Sequence, residues 1–132
     1  MKRVIIVKEG QWGGIKEEDY LPLVNLYREV LERAEVPGPY GDGKKEKAAR
    51  VEVVATVAEA EKKIKEAPLN QRIDVVVFIS RGVEVEAERL AKSYPKTRIV
   101  VFTGLIPEGK IIWVDKAHCA DPKMIENIVL HS

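Results

Sequence analysis

The polar residues best suited to chemistry in this 132-residue chain stand directly after its apolar runs. The residues in question are Glu9, Ser80, Arg81, Thr103 and Lys116. In parallel sheets covered by helices, ligands bind beyond the carboxyl ends of the strands, where such residues collect. A carboxylate, two hydroxyls and two cations could line a crevice for a nucleotide, a phosphate or another small ligand.

Each of these residues also has a plain structural interpretation. Ser80 could cap a following helix, or it could bind an anion together with Arg81 at the helix N-terminus. Glu9 and Lys116 could form a charge pair at the edge of the sheet, or they could be a structural ion pair or two solvated side chains. The sequence leaves these alternatives open.

Trp12 stands in the glycine-rich segment 9–14. This segment has neither the dinucleotide nor the P-loop spacing, and acidic residues at 17–19 would repel a phosphate, which favours a flexible structural loop. A large aromatic residue between glycines is rarely part of a core, so Trp12 is a candidate partner contact or lid. Tyr40 and Trp113 are the other candidate partner contacts.

The remaining reactive side chains match no known catalytic or metal site. His118 and Cys119 are adjacent in sequence, and adjacent side chains usually point apart, so we interpret Cys119 as a structural thiol. The histidines, cysteine and carboxylates lack the ligand spacing of a zinc site. We therefore predict no catalytic residues, no metal and no cofactor.

Four apolar runs, at 3–7, 73–79, 98–102 and 111–114, do not alternate between apolar and polar residues. A strand that is apolar on both faces is buried on both faces, which is typical of a parallel sheet covered by helices. A weaker strand is predicted over 51–55. We predict an α/β fold, a three-layer α/β/α sandwich around a mostly parallel five-stranded sheet of order 2-1-3-4-5.

Apolar residues spaced three and four apart predict helices between these strands. The first is predicted to begin near Asp19, because Pro22 must then lie in its first turn. Thr56 begins a capping box for the next helix, and Asp121 is a cap for the last. The segment 37–50 is rich in glycine and charge without an apolar period, so we predict a long, flexible connection.

Composition limits the partners and the location of the chain. It is 45% hydrophobic and 33% charged, and 22 Lys and Arg balance 21 Asp and Glu, so no long-range field attracts nucleic acid or a membrane. We find no signal-peptide profile and no apolar stretch near the roughly 20 residues that span a bilayer. We therefore expect a single cytoplasmic domain over 1–132. Abundant Lys, Glu and Arg with few Asn, Gln and Cys leaves a thermophilic source open.

Four segments share their pattern with one known family, namely 51–56, 74–80, 100–104 and 114–116. Together with the helix after the first of them, these segments resemble a response-regulator receiver domain. The likeness covers about half of the chain and is mainly one of strand pattern. More loosely, the segments resemble any flavodoxin-like fold.

The receiver resemblance assigns places to individual residues. Thr103 takes the place of the hydroxyl residue that contacts the phosphoryl group, and Lys116 takes that of the family's lysine. Lys8 and Glu9 stand where the family has an acidic pair, and Ile79 stands where it has the phosphate-accepting aspartate. A hydrocarbon side chain cannot accept a phosphoryl group, so the comparison implies a module that has lost phosphotransfer.

The segment 104–115 is too short for the helix that receivers place between their fourth and fifth strands. A crossover through 104–109 would keep the last strand parallel, whereas a tight turn at 107–109 would make it antiparallel. We expect the parallel arrangement. With the helix missing, one face of the sheet lacks cover, which predicts self-association as a homodimer.

The leading hypothesis is a non-catalytic receiver-like module that binds itself and a regulatory protein. The alternative is a small-ligand binding protein or enzyme that uses the crevice at the carboxyl ends of the strands. A third possibility is a structural subunit whose segment 37–50 becomes ordered on a partner.

Overall fold

A computed structural model describes residues 1–9, 17–38, 40–41, 43–79, 83–101, 112–113 and 122–131 of the protein. Strands and helices alternate along most of these residues. The elements are β1 (Lys2–Val7), α1 (Glu17–Arg33), β2 (Glu35–Pro37), β3 (Lys45–Lys47), β4 (Ala49–Val54), α2 (Val57–Glu66), a 3-10 turn (Leu69–Gln71), β5 (Val75–Phe78), α3 (Glu84–Ser93), β6 (Arg98–Val101), β7 (Ile112–Trp113) and α4 (Pro122–His131).

The main sheet is built from parallel strands in the order β4, β1, β5, β6 and β7. Val4 of β1 lies between Val51 of β4 and Val75 of β5. The last strand contributes two residues at the edge, where Trp113 pairs with Val101 of β6. The predicted α/β class, with a parallel sheet between helices, is confirmed.

The central strand β5 shows why the apolar runs do not alternate. Val75 and Val77 belong to a core that includes buried residues of α1 and α4, whereas Val76 and Phe78 belong to a second core with residues of α2 and α3. All four side chains are at most 1% exposed. Helices therefore cover both faces of the sheet, and each residue of the strand is stabilised by apolar burial.

The first helix begins earlier than the sequence predicts. α1 starts at Glu17, which places Pro22 in the second turn of the helix. A proline there leaves the carbonyl of Glu18 without its helical donor. Both residues are exposed, so water can satisfy that carbonyl, and the helix tolerates the proline.

The segment 37–50, for which we predict a long flexible connection, contains the short strand β3 and the start of β4. β2 and β3 pair antiparallel in a short hairpin, and β4 begins at Ala49. The amide of Ala48 donates to the carbonyl of Ala34 at 2.9 Å, and the amide of Lys2 donates to the carbonyl of Ala48 at 3.0 Å. These backbone bonds join β3 to β2 and place the start of β4 beside β1, although β3 is too charged to show an apolar period.

The predicted absence of a helix before the last strand concerns residues 102–111, which lie outside the described residues. Among the helices that the structure does describe, none is both long and apolar enough to cross a membrane.

Candidate functional site

A cleft of about 860 Å³ opens between α2 and α3, beside the carboxyl end of β1. Its volume is within the usual range for small-molecule sites, and its location agrees with the general placement of ligands in α/β sheets. Buried valines and one alanine give it an apolar lining, and charged side chains surround them. The lining residues are Glu9, Val57, Ala58, Glu61, Lys62, Lys65, Glu66, Val83, Glu86 and Arg89.

The upper end of the cleft is formed by the N-terminus of α2, which two side chains cap. Thr56 has extended backbone angles, and its Oγ1 accepts a hydrogen bond from the amide of Glu59 at 3.2 Å. Glu9 Oε2 accepts a hydrogen bond from the amide of Val57 at 2.7 Å. These amides belong to the first turn, where the helix offers them no acceptor of its own.

The contact of Glu9 decides what the upper end can bind. A helix N-terminus attracts anions through its free amides and its dipole. Here the carboxylate of Glu9 already takes that position on α2. A phosphate at the same amide would have to displace Glu9 and would be repelled by its charge.

Glu61 connects the two helices lower in the cleft. Its Oε2 lies 2.6 Å from Nη1 of Arg89, and its Oε1 lies 3.4 Å from Nζ of Lys65. The hydroxyl of Tyr94 donates to Glu61 Oε1 at 3.3 Å. Arg89 also contacts Glu86 Oε2 at 2.9 Å through Nη2. Both walls of the cleft are thus held together by one carboxylate on α2 and one guanidinium on α3.

These contacts shift the protonation equilibria of the residues that make them. The hydrogen bond from Arg89 lowers the pKa of Glu61 below its ordinary value of 4.5. The same hydrogen bond raises the pKa of Arg89, and Glu61 likewise raises the pKa of Lys65. Each shift favours the charged form, so the cluster stays ionised at neutral pH.

A second charged cluster lies on β4, outside the lining of the cleft. Glu52 contacts Lys63 of α2 at 2.7 Å and Arg3 of β1 at 3.4 Å. The hydrogen bond from Lys63 lowers the pKa of Glu52. This cluster attaches α2 to the sheet.

Of the five candidate ligand-binding residues, the structure describes Glu9, which lines the cleft. The other four, Ser80, Arg81, Thr103 and Lys116, lie outside the described residues. α3 begins at Glu84 with Val83 at its N-cap position, so the helix starts beyond Ser80.

Of the three candidate partner contacts, the structure describes two. Tyr40 lies between β2 and β3 and is 87% exposed. Trp113 occupies β7 at the edge of the main sheet. Trp12 lies outside the described residues. Of the two described candidates, Tyr40 follows a strand of the β2–β3 sheet and Trp113 belongs to the main sheet.

Sequence reasoning missed the cluster around Glu61. The spacing of Glu61 and Lys65, and that of Glu86 and Arg89, could have indicated pairs along each helix. The bond between Glu61 and Arg89 depends on how two helices pack on one sheet face, which residue spacing does not reveal. In the described part of the chain, no group of three or more His, Cys, Asp or Glu could hold a metal ion.

Comparisons with known proteins bear on the fold. No family model matches the chain, and no curated protein does. The chain is similar to a solved fragment from Peptoclostridium difficile 630, described as a "putative lipoprotein", with a TM-score of 0.56. The two are 12% identical, and the match covers 97% of this chain and 96% of the other. At this identity the likeness shows a shared fold and nothing further.

Proposed function

We propose that this chain is a cytoplasmic receiver-like module, with the flavodoxin-like strand order 2-1-3-4-5, that works by binding protein and does not take up phosphoryl groups. Its partners are a second copy of itself and a regulatory protein. The observation that carries the proposal is Ile79, which is 6% exposed at the end of the central strand.

Ile79 follows β5 and belongs to the core that β5 shares with α1 and α4. In the receiver resemblance this position holds the phosphate-accepting aspartate. Here it holds a side chain without any acceptor atom, packed among hydrocarbon. A carboxylate in the same place would lose its hydration, which costs several kcal/mol unless a partner compensates. The packing thus supports a module without an acceptor.

The contact of Glu9 supports the same conclusion. Receivers use an acidic pair after the first strand, and Lys8 and Glu9 stand at that place. Lys8 supplies a cation instead of a carboxylate, and Glu9 caps α2. Magnesium binds through oxygen ligands and is commonly held by one or two carboxylates together with waters and phosphate oxygens. A lysine and a glutamate that already accepts a hydrogen bond from α2 do not supply the pair of free carboxylates that would bind magnesium.

The charges of the cleft favour a protein surface over an anionic ligand. Its lining contains four carboxylates, Glu9, Glu61, Glu66 and Glu86, against three cations, Lys62, Lys65 and Arg89. A site for a nucleotide or phosphate normally offers an excess of positive charge or free amides. A mixed, nearly neutral surface complements another mixed protein surface.

Two measurements on the full chain test the proposal. Incubation with acetyl phosphate and magnesium should leave its intact mass unchanged, under conditions that phosphorylate a functional receiver used as the control. Multi-angle light scattering should show a dimer. A phosphoryl adduct on this chain, or a monomer at every concentration tested, would contradict the proposal.

The cleft itself favours a second candidate, a small-ligand binding protein or enzyme. In that case Glu9 would line the site together with Ser80, Arg81, Thr103 and Lys116. A nucleotide, phosphate or sugar phosphate should then raise the melting temperature. Glu9→Gln removes the competing charge at the N-terminus of α2 and should strengthen the binding of an anion there. If none of these ligands raises the melting temperature of the wild type or of Glu9→Gln, this candidate is wrong.

A further inference from the structure

β4 forms an edge of the main sheet, because it stands first in the strand order and β1 pairs with one side of it. The amides of Lys2 and Lys8 donate to the carbonyls of Ala48 and Val54, so the even-numbered residues of β4 bond to β1. Residues 49, 51 and 53 therefore direct their amides and carbonyls to the outer side. In the described part of the chain, no strand pairs with that side. The outer side of β4 thus offers a row of backbone donors and acceptors to another strand.

The two faces of β4 differ in character. Val51 and Val53 are half-buried and pack against the core that includes residues of α1 and α4. Arg50 and Glu52 lie on the opposite face of the strand, where Glu52 contacts Lys63 of α2. A strand added to the outer side would follow the same alternation. Its apolar side chains would lie beside Val51 and Val53, and its polar side chains would lie beside Arg50 and Glu52.

The polar face of this edge carries a net positive charge. Arg3 of β1 lies beside Arg50 in the register, and Arg3 and Lys63 share the carboxylate of Glu52. Three cations thus surround one carboxylate. Among the residues that the structure describes, Arg50 is exposed and forms no ion pair. An acidic side chain of another molecule could therefore pair with Arg50 without breaking an existing contact.

We propose that the outer side of β4 binds an extended, acidic segment of a partner protein, which adds a strand to the sheet. The inference rests on the proposed regulatory partner and states the chemistry of its segment. Main-chain hydrogen bonds to residues 49, 51 and 53 supply affinity, and the side chains supply specificity. The segment has an acidic residue opposite Arg50 and apolar residues opposite Val51 and Val53. A second copy is disfavoured at this edge, because pairing two β4 strands would bring two positive surfaces together.

A displayed library of ten-residue peptides tests the charge of the segment. Apolar positions alternate in it with positions randomised among aspartate, glutamate, lysine, arginine, serine and threonine. Selection on the full wild-type chain should enrich the two acidic residues. Fluorescence anisotropy of a selected peptide should show binding at least about tenfold weaker to Arg50→Glu. Lys92→Glu reverses an exposed charge on α3 as the matched control, and it should bind the peptide as the wild type does.

A proline in β4 tests the main-chain bonds. Val51→Pro removes the outward amide and spares the amides that bond to β1, whereas Val51→Ala shortens the same side chain and keeps the amide. The proline variant should lose the peptide, and the alanine variant should retain most of the affinity. Circular dichroism melting verifies that both remain folded, and Arg50→Glu still decides if the proline variant does not fold. Selected peptides that are not acidic, equal binding to Arg50→Glu, or binding to a folded Val51→Pro would each overturn the proposal.

Sedimentation of the chain without peptide separates this proposal from the proposed function. If Val51→Pro converts a wild-type dimer into monomers, a second copy occupies the edge and an acidic segment is the wrong occupant. A library that yields no binder also overturns the acidic segment. That result would leave self-association and the absence of phosphotransfer intact, because light scattering and intact mass measure these two properties independently.

Discussion

Removing the charge of Glu61 should lower the free energy of unfolding by about 1 kcal/mol at neutral pH. The Glu61 side chain is 18% exposed, and that of its partner Arg89 is 45% exposed. An ion pair at this exposure contributes about 0.2–1 kcal/mol. The hydrogen bond from Tyr94 adds about 0.5–1.5 kcal/mol. Glu61→Gln keeps an acceptor oxygen, so the lower part of the combined range is expected.

The effect should depend on pH in one direction. The pKa of Glu61 is lowered in the folded state, so the unfolded chain takes up this proton at a higher pH than the folded chain does. The stabilisation is therefore complete above the unfolded pKa, and it is lost as the pH falls through the lower, folded pKa. Urea unfolding of the wild type and Glu61→Gln should give curves that converge in acid, starting below pH 4.5.

Two controls isolate the interaction between the helices. Glu88→Gln removes an exposed carboxylate on α3 and should change stability little. A double-mutant cycle with Arg89→Gln should give a coupling energy that decreases in about 1 M salt. If Glu61→Gln is as stable as the wild type at neutral pH, or if its deficit persists unchanged in acid, the reasoning about this cluster is refuted.

Three further variants test the elements that frame the cleft. Thr56→Ala removes the cap of α2 and should cost about 1 kcal/mol in urea unfolding; Thr56→Ser retains the hydroxyl, and equal losses in both would contradict the role of the cap. Leu90→Ala removes a fully buried side chain and should cost about 2–5 kcal/mol, whereas the exposed Val85→Ala should be nearly neutral in thermal melting. Thr97 Oγ1 donates to the carbonyl of Ile73 at 2.9 Å, so Thr97→Val should cost about 1–3 kcal/mol by chemical denaturation, and a neutral result would show that water replaces the bond.

The parallel sheet could be predicted because burial on both faces makes every residue of its central strands apolar. A residue such as Val76 must be apolar whichever side of the strand it faces, since helices cover both sides. The start of α2 was also readable, because Thr56 is a local cap whose effect depends on the next three residues. These features are set by neighbours in sequence, so the sequence displays them.

The hairpin formed by β2 and β3 and the early start of α1 could not be predicted in the same way. β3 consists of Lys45, Glu46 and Lys47, all exposed, so burial imposes no pattern on it. β3 is held by backbone hydrogen bonds to β2, and the charged side chains of β3 do not indicate these bonds. The position of Pro22 in α1 depends on exposure, which lets water replace a missing donor.

The candidate site was harder to predict than the fold, for a related reason. Glu9 was expected at the end of β1 as a ligand or charge partner, but its carboxylate bonds to an amide about fifty residues away. The contact between Glu61 and Arg89 likewise joins different helices. Both contacts depend on the height at which α2 and α3 lie on the sheet. That height is a property of the packed core and not of any short segment.

The ends of β1 and β5 unite these observations. The two strands are paired with Val7 beside Phe78, so Lys8 and Ile79 occupy the next level of neighbouring strands. A receiver needs carboxylates that converge above this level. Here Ile79 packs into the core with α1 and α4, while Glu9 bonds to α2 on the other face of the sheet. Ile79 and Glu9 therefore contact helices on opposite faces of the sheet. Under the proposed function, placing an aspartate at Ile79 would therefore not restore phosphotransfer. Glu9, the carboxylate that would have to act with it, already caps α2.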